Sequence, residues 1–180
     1  MKRLLLLVAL VLAPLLARSE TLDLVAHGTF NMNVPSGWTF SAQKMEENGY
    51  AITLSAPGET NAKCVVSLIY VPNPEAFTKE RIQDEVLVAA DQYVDASVEK
   101  KTVLRDFNVP NAFGYYCVFT DSSLVGKPAE HDNFKVVGVG EIRFSEDLTS
   151  AVSLLADDEN GPEFKAMLAA ISSIKIAKQK

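Results

Sequence analysis

Short segments of alternating apolar and polar residues, separated by turn signals, most restrict the fold of this 180-residue chain. In residues 30–34, phenylalanine, methionine and valine alternate with asparagine, the pattern of a β-strand with one buried face. Glu47-Asn48-Gly49 is a hairpin signal. The strand after it places four apolar residues on one face: Tyr50, Ile52, Leu54 and Ala56. Because tight hairpins join antiparallel strands, these patterns predict a mostly antiparallel sheet.

Two segments, residues 63–71 and 115–119, are apolar at successive positions instead of alternate ones. A strand with this pattern is buried on both faces, so both segments are predicted to be central strands of a sheet that is covered on each side. Further strands are predicted at residues 98–107, 134–144 and 148–156, and the second central strand is expected to extend over residues 114–120.

Two helices are predicted from apolar residues at helical spacing. The first begins after Asn73-Pro74 or Thr78. Its stripe contains Ile82, Val86, Ala89 and Tyr93, widened by Leu87, Ala90 and Val94. The second begins at Gly161-Pro162, since proline is favoured at the first helical position. Its stripe contains Phe164, Met167, Leu168 and Ile171. The predicted order is three or four strands, a helix, four strands and a helix, an α+β domain with helices on the faces of the sheet.

Residues 1–19 have the layout of a secretory signal peptide: a basic start, an apolar run over residues 4–16, and small residues at Ala17 and Ser19. We expect cleavage after Ser19, which leaves a single domain over residues 20–180 in a periplasmic or secreted protein. The apolar run is shorter than the about 20 residues that a membrane helix needs. An uncleaved anchor is the alternative, and after cleavage no stable membrane insertion is expected.

The charge of the chain argues against one class of partner. Of its 17 basic residues, three lie in residues 1–19, so the predicted mature chain has 14 basic and 23 acidic residues and a net charge of −9. Nucleic-acid binding depends on clustered lysine and arginine side chains that contact phosphates. The sequence therefore predicts no nucleic-acid partner.

Both cysteines, Cys64 and Cys117, lie in apolar, strand-like segments. Two thiols in an oxidising compartment can form a disulfide, whereas cysteine in a strand is often a small buried apolar residue. A bridge requires Cα atoms within about 7 Å of each other. The sequence leaves both interpretations open, and either one predicts that the two residues lie on strands and are buried.

The only tryptophan, Trp38, follows the turn signal Pro35-Ser36-Gly37. We expect Pro35 at the first inner position of the turn and Gly37 at its close. The indole is either an anchor of the core or the wall of a ligand pocket. Its alternation with Phe40 favours the core, so Trp38 is predicted to be mostly buried.

Several polar or glycine-containing motifs are candidates for a metal or cofactor site. Glu130-His131-Asp132, with His27, offers metal-ligand atoms, but adjacent residues rarely point at one ion. The acidic residues at positions 156–160 lack the spacing of a calcium loop and precede a predicted helix, whose dipole they favour. Gly138 and Gly140 continue into a strand, where glycine permits a bulge or the close approach of a covering helix. Catalytic, cofactor-binding and metal-binding residues are predicted to be absent, and no cofactor is implied.

The loop over residues 121–133 combines serine, glycine, proline and charged residues. A loop of this length in a compact domain is usually functional or disordered. We expect it to be the most exposed and mobile part of the fold and the first place to look for a partner surface.

Three stretches, FNMNVPSGWTF, IYVPNP and PEFKAMLAAISSIKI, occur in an order that resembles the PsbP-like/DcrB-like superfamily of small exported proteins. This group includes the photosystem II extrinsic subunit P and bacterial periplasmic relatives. The resemblance spans nearly all of residues 20–180 and implies an α/β/α sandwich around an antiparallel sheet. It also implies a non-enzymatic role in an envelope or membrane complex. Its motifs are structural, so no catalytic residue is carried over, and the lipidated cysteine of many bacterial relatives is missing here.

Three classes of function are thereby ranked. The first is an exported, non-enzymatic binding or assembly module of the cell envelope with a protein partner. The alternative is a periplasmic carrier of a small ligand or metal, motivated by the 121–133 loop and His131. The third is a hydrolase or isomerase, which paired carboxylates in a deep pocket would distinguish from the other two.

Overall fold

The computed structural model describes residues 17–46, 49–71 and 78–177. In these residues the chain forms five strands, a helix, four strands, a second helix and a last strand. The helices are α1, Lys79–Val94, and α2, Pro162–Ser172. The strands are β1 Arg18–Asp23, β2 Thr29–Val34, β3 Thr39–Met45, β4 Gly49–Ser55, β5 Lys63–Tyr70, β6 Arg105–Asp106, β7 Phe113–Thr120, β8 Val136–Ser145, β9 Leu148–Ala156 and β10 Lys175–Ala177.

All strand pairs in the described ranges are antiparallel, so the fold is α+β as predicted. Seven strands form one sheet in the order β3-β4-β5-β9-β8-β7-β6, and three form a smaller sheet in the order β1-β2-β10. β1 and β10 were not predicted. Both are edge strands with mostly exposed side chains, so they lack an apolar pattern of their own and depend on β2 for hydrogen bonds.

The main core lies on one face of the large sheet, under α2 and the small sheet. The predicted alternation in β2 is confirmed, with three buried apolar residues, and α2 has the predicted N-terminal proline. Fully buried side chains from both layers meet here: Phe30, Met32, Ile52, Leu54, Leu68, Phe164 and Met167.

The opposite face of the large sheet is only partly covered, because α1 packs mainly on β7 and β8. A helix is about 10 Å wide and strands lie about 4.8 Å apart, so one helix covers about two strands. β7 is buried on both faces, as predicted. β5 is not: Cys64, Val66 and Leu68 are buried, but Ile69 is 38% exposed. The prediction that β5 is covered on both faces was wrong.

Two local predictions also differ from the structure. Residues 98–107 contribute only the two-residue β6. Near Thr120 this segment makes isolated contacts and not a ladder: the Val98 N–H donates to the Thr120 carbonyl at 2.8 Å, and the Glu99 carboxylate accepts from the Thr120 N–H at 2.9 Å. In α1 the buried stripe is Ile82, Val86 and Ala90, whereas Ala89 is exposed. The N-cap of α1 is Thr78, whose hydroxyl accepts a hydrogen bond from the Arg81 N–H at 3.2 Å.

Three sequence signals lie outside the described residues: most of the predicted signal peptide, Glu47-Asn48 and Asn73-Pro74. β3 and β4, which flank the hairpin signal, pair without interruption from Thr39–Ser55 to Met45–Gly49. None of the helices in the described part is long and apolar enough to cross a membrane.

Candidate functional site

A cleft of about 650 Å³ lies where three segments of the chain meet. One is the 3₁₀ turn Val25–His27 between β1 and β2, the second is the turn between β8 and β9, and the third is β10. The lining residues are Ala26, His27, Phe144, Ser145, Glu146, Asp147 and Ile176. We call this the His27 cleft.

The turn that carries His27 is held in a strained conformation. Val25 has φ +57°, in the left-handed region that β-branched residues rarely adopt. Its N–H donates to Asp23 Oδ1 at 2.9 Å, and the Leu24 N–H donates to the Gly28 carbonyl at 2.8 Å. Backbone strain of this kind costs about 1–3 kcal/mol and often occurs at functional sites.

His27 is fixed on its ring face by Tyr70. The two rings are stacked with centroids 3.9 Å apart and planes 14° apart. The Tyr70 hydroxyl donates to the Leu24 carbonyl at 3.2 Å, which ties β5 to the same turn. Burial, followed by the nearby Tyr50 and Asp23, raises the pKa of Tyr70, so its hydroxyl stays a donor at neutral pH.

Asp147 lies at the centre of the polar groups in the cleft. Its Oδ2 is 2.9 Å from His27 Nδ1, and its Oδ1 accepts a hydrogen bond from the Ser145 hydroxyl at 2.6 Å. These two hydrogen bonds, that of Ser145 above all, lower the pKa of Asp147. The Asp147 carbonyl also accepts from the Val71 N–H at 2.9 Å, which fixes the turn to the end of β5.

The order of these groups decides what they can do. In a catalytic triad the histidine lies between the serine and the aspartate and takes the serine proton. Here Asp147 lies between Ser145 and His27, so the imidazole does not activate the hydroxyl. The pair of His27 and Asp147 instead presents an imidazole whose Nδ1 is held by a carboxylate. The carboxylate also gives the wall of the cleft a negative charge. That arrangement suits recognition of a polar or cationic group.

The 121–133 loop forms the second candidate site. All of its residues are exposed except Asp121 and Leu124, which are half-buried, so the predicted exposure is confirmed. It is also locally structured: Ser122–Leu124 form a 3₁₀ turn, and Asp121 Oδ1 accepts from the Ser123 N–H at 2.8 Å. The side chain and backbone of Ser123 lower the pKa of Asp121 through these hydrogen bonds.

Asn61 fixes the end of this loop to the sheet. Its side-chain Nδ2 donates to the Asn133 carbonyl at 3.2 Å and to Asp157 Oδ1 at 3.0 Å, and its Oδ1 accepts from the Asp132 N–H at 3.1 Å. Lys63 adds an ion pair to Asp132 at 3.1 Å. Two adjoining grooves, of about 450 and 240 Å³, share three lining residues: Gly58, Asn61 and His131.

The potential metal ligands of this loop make separate contacts, apart from one between His131 and Asp132. Asp132 binds Lys63 and its Oδ2 lies 3.5 Å from His131 Nε2, Glu130 accepts a long hydrogen bond from Asn133 at 3.4 Å, and His131 is largely exposed. His27 lies at the other end of the ten-residue β8, about 30 Å away along the strand. Within the residues described, no cluster of three or more His, Cys, Asp or Glu side chains can hold a metal ion.

The structure also places the remaining candidates. Cys64 and Cys117 are buried on strands, as predicted, and both are free thiols. Trp38 packs against the main core with most of its surface buried, so the prediction that it is mostly buried is confirmed, although it is not fully enclosed. The turn before it begins at Pro35, whose carbonyl accepts from the Trp38 N–H at 3.1 Å. Gly37, with φ +80°, is therefore the second inner residue, and Pro35 is not an inner residue at all.

The glycines in β8 permit close approach, but not to a helix. A Cβ atom on Gly140 would lie 2.7 Å from the Phe107 ring, and one on Gly138 would lie 2.9 Å from Leu154 Cβ. The acids after β9 bind separate partners: Asp157 binds Asn61, and Glu159 binds Arg105 at 3.2 Å. They do not form a joint ligand set.

Sequence reasoning missed one pair of carboxylates. Glu141 of β8 accepts from the Thr149 hydroxyl at 2.8 Å and lies beside Glu85 of α1, with the buried Arg143 nearby. Burial, followed by the like charge and hydrogen bond of Glu85, raises the pKa of Glu141. The two glutamates are far apart in sequence, and no local pattern identifies either one.

No family model matches the chain, and no curated protein is significantly similar to it.

Proposed function

We propose that this protein is an exported, non-enzymatic binding or assembly module of the cell envelope, and that the 121–133 loop contacts its protein partner. The observation that carries this proposal is that the loop is exposed and yet held in place by Asn61. An exposed loop that is already ordered loses less conformational entropy when it binds. Rigid scaffolds commonly present recognition loops in this way.

The same proposal includes the PsbP-like/DcrB-like superfamily and its α/β/α sandwich. Its support is that α1 and α2 pack on opposite faces of an antiparallel sheet. Export is supported by the layout of residues 1–19. Cleavage after Ser19 would still leave four residue pairs between β1 and β2, from Glu20–Met32 to Asp23–Thr29. N-terminal sequencing of the protein from a periplasmic fraction, with Glu20 as the expected first residue, tests this part.

The test of the binding role is site-specific photo-crosslinking in intact cells. A photoreactive phenylalanine analogue replaces Val125, which is 60% exposed in the loop, or Val88, which is 77% exposed on α1. We expect one discrete crosslinked envelope protein from position 125 and none from position 88. Equal crosslinking from both positions, or none from either, would contradict the proposal.

Asn61→Ala provides a second test. It removes the two hydrogen bonds that fix the loop, and a third to Asp157, without altering any loop residue. We expect crosslinking from position 125 to fall several-fold, whereas Thr60→Ala, at the neighbouring exposed position, leaves it unchanged. Undiminished crosslinking in Asn61→Ala would show that loop order is not required for binding.

The His27 cleft favours a second candidate function, that of a small-ligand carrier. Its volume lies in the range of small-molecule sites, and its polar groups converge on Asp147. A thermal-shift screen of amines, basic amino acids and short cationic peptides tests it. A ligand-induced thermal shift that is lost in Asp147→Asn and retained in Asp157→Asn would support a carrier. The absence of any hit would remove this candidate.

A further inference from the structure

The edge of the large sheet at β3 is long and unprotected. β3 pairs with β4 over seven residues without a register shift, contains no proline, and has no strand on its other side in the described ranges. Such an edge presents a row of N–H and C=O groups that a further strand can bind. The opposite edge, β6, has only two residues.

The edge of the small sheet is protected by comparison. β1 carries charged side chains at Glu20 and Asp23, both of which remain after cleavage following Ser19, and charge on an edge strand discourages pairing with another chain. β3 carries one charge, that of Lys44, which has no ion-pair partner in the described part of the chain. The pattern of β3 thus permits pairing wherever Lys44 does not meet a like charge.

Antiparallel pairing of β3 with a second β3 meets this condition. If Ala42 lies opposite its own copy, all seven residues pair: Thr39 with Met45, Phe40 with Lys44, and Ser41 with Gln43. Lys44 then lies beside the aromatic ring of Phe40, an attractive contact for a cation. A shift by two residues pairs only five positions, and a shift by one residue brings opposite faces together.

The side chains along β3 also lack cover. Phe40 packs against the core but is partly exposed, Trp38 just before the strand is partly exposed too, and Ala42 is exposed. A strand added to β3 would continue the sheet and shield Phe40, which the chain alone leaves partly in water.

We propose that two copies of this chain associate by antiparallel pairing of β3 with β3, centred on Ala42, so that one sheet runs through both molecules. A single strand pair buries less than the about 800 Å² per partner of a stable interface. The dimer is therefore weak and concentration-dependent.

Disulfide trapping tests the register directly. Cysteines at directly opposite positions in antiparallel strands have Cα atoms about 4.5–5.5 Å apart, which suits a disulfide. Both native cysteines are buried, so an introduced thiol is the accessible one. We expect Ala42→Cys to form a covalent dimer under mild oxidation at least tenfold faster than Ala151→Cys, at an exposed position of β9. Equal rates for these two variants would overturn the proposal.

Two further variants test the register of the strand pair. Ser41→Cys alone is expected to crosslink slowly, because each introduced thiol lies opposite Gln43 of the other copy. An equimolar mixture of Ser41→Cys and Gln43→Cys is expected to give the mixed dimer. Fast dimerisation of Ser41→Cys alone would overturn the Ala42-centred pairing.

Association without a covalent bond is measured by sedimentation of the wild-type protein over a concentration series. We expect a weight-average mass that rises from monomer towards dimer. Ala42→Lys places two like charges opposite each other at the centre of the pair, so this variant should remain monomeric with an unchanged melting temperature. A wild-type protein that stays monomeric up to about 1 mM, where a weak strand pair should already form, would overturn the proposal, as would an Ala42→Lys variant that dimerises as well as wild type.

Discussion

Cys64 and Cys117 lie on opposite faces of the large sheet with two strands between them. The pairs Cys64–Leu154, Leu154–Gly138 and Gly138–Val118 connect β5 to β7, and Cys117 is the neighbour of Val118 in β7. Three strand spacings amount to about 14 Å, twice the separation that a disulfide permits. The thiols therefore belong to different clusters, Cys64 to the main core and Cys117 to the contact with α1.

Both thiols are expected to resist labelling in the native protein. Burial raises the pKa of Cys64 to about 12 and also raises that of Cys117, so neither is a thiolate at neutral pH. A thiol reagent should react with both cysteines in denaturant and with neither in native buffer, and a reductant should leave the melting temperature unchanged. A reductant-dependent fall in melting temperature would show that the thiols are bridged.

The partly exposed Trp38 should contribute less to stability than a fully buried aromatic residue. Trp38→Ala is expected to lower the free energy of unfolding by about 2–3 kcal/mol, since a minor part of the ring surface remains in water. Phe164→Ala is the matched comparison and should cost about 3–5 kcal/mol, because its ring is 1% exposed. Urea unfolding of both variants measures this difference. Equal losses would mean that Trp38 is buried in solution, and one direct explanation would be the β3 pairing proposed above.

Asp147 should make stability depend on pH in the acid range. Its folded pKa lies below the unfolded value, so its contribution is present above about pH 4 and is lost as the pH falls through the folded pKa. Asp147→Asn is expected to lower the free energy of unfolding by about 1 kcal/mol at pH 7, because the half-exposed carboxylate is screened by water. The gap to wild type should narrow towards pH 3. A gap that does not change with pH would mean that the charge of Asp147 is irrelevant to stability.

Glu85 and Glu141 should make the protein less stable as the pH rises, which is the opposite of the effect of Asp147. The pKa of Glu141 is raised in the folded protein, so its ionisation destabilises the fold as the pH rises from the unfolded value through the folded one. Glu85→Gln removes the like charge and should make the protein more stable at pH 7 than wild type, with no difference at pH 3. Glu80→Gln, in the exposed first turn of α1, is the control and should not show this gain. A loss of stability in Glu85→Gln at pH 7 would show that its ion pair with Arg81, at 2.9 Å, outweighs the repulsion.

The periodic segments of this chain could be predicted from sequence because their own residues determine them. β2, β7, β9 and α2 have apolar patterns that match the face they bury. β1 and β10 could not be predicted in this way, since each is ordered by hydrogen bonds to β2 and has little apolar surface to bury. The half-open face over β5 depends on where α1 lies, which is a property of packing between distant elements.

The candidate sites also differ in whether local residues or long-range contacts determine them. The 121–133 loop was visible from its composition, because loop-forming residues act locally. The His27 cleft was not, since His27 and Asp147 are 120 residues apart in sequence and meet only through the ends of three strands. Trp38 shows a third case: its alternation with Phe40 correctly predicted packing against the core, but β3, which begins just after it, is an edge strand, so the indole is not fully enclosed.

The pairing in the small sheet determines when, during synthesis, folding can be completed. β2, near the start of the chain, pairs with β10 near its end, and the pair Thr29–Ala177 joins residues about 150 positions apart. α2, which covers the same core, also comes late in the chain. The apolar face of the large sheet therefore has no complete cover until the last segment has been synthesised. We expect a nascent chain of this kind to stay open until then, which is the state in which a polypeptide can be threaded through a narrow translocation channel.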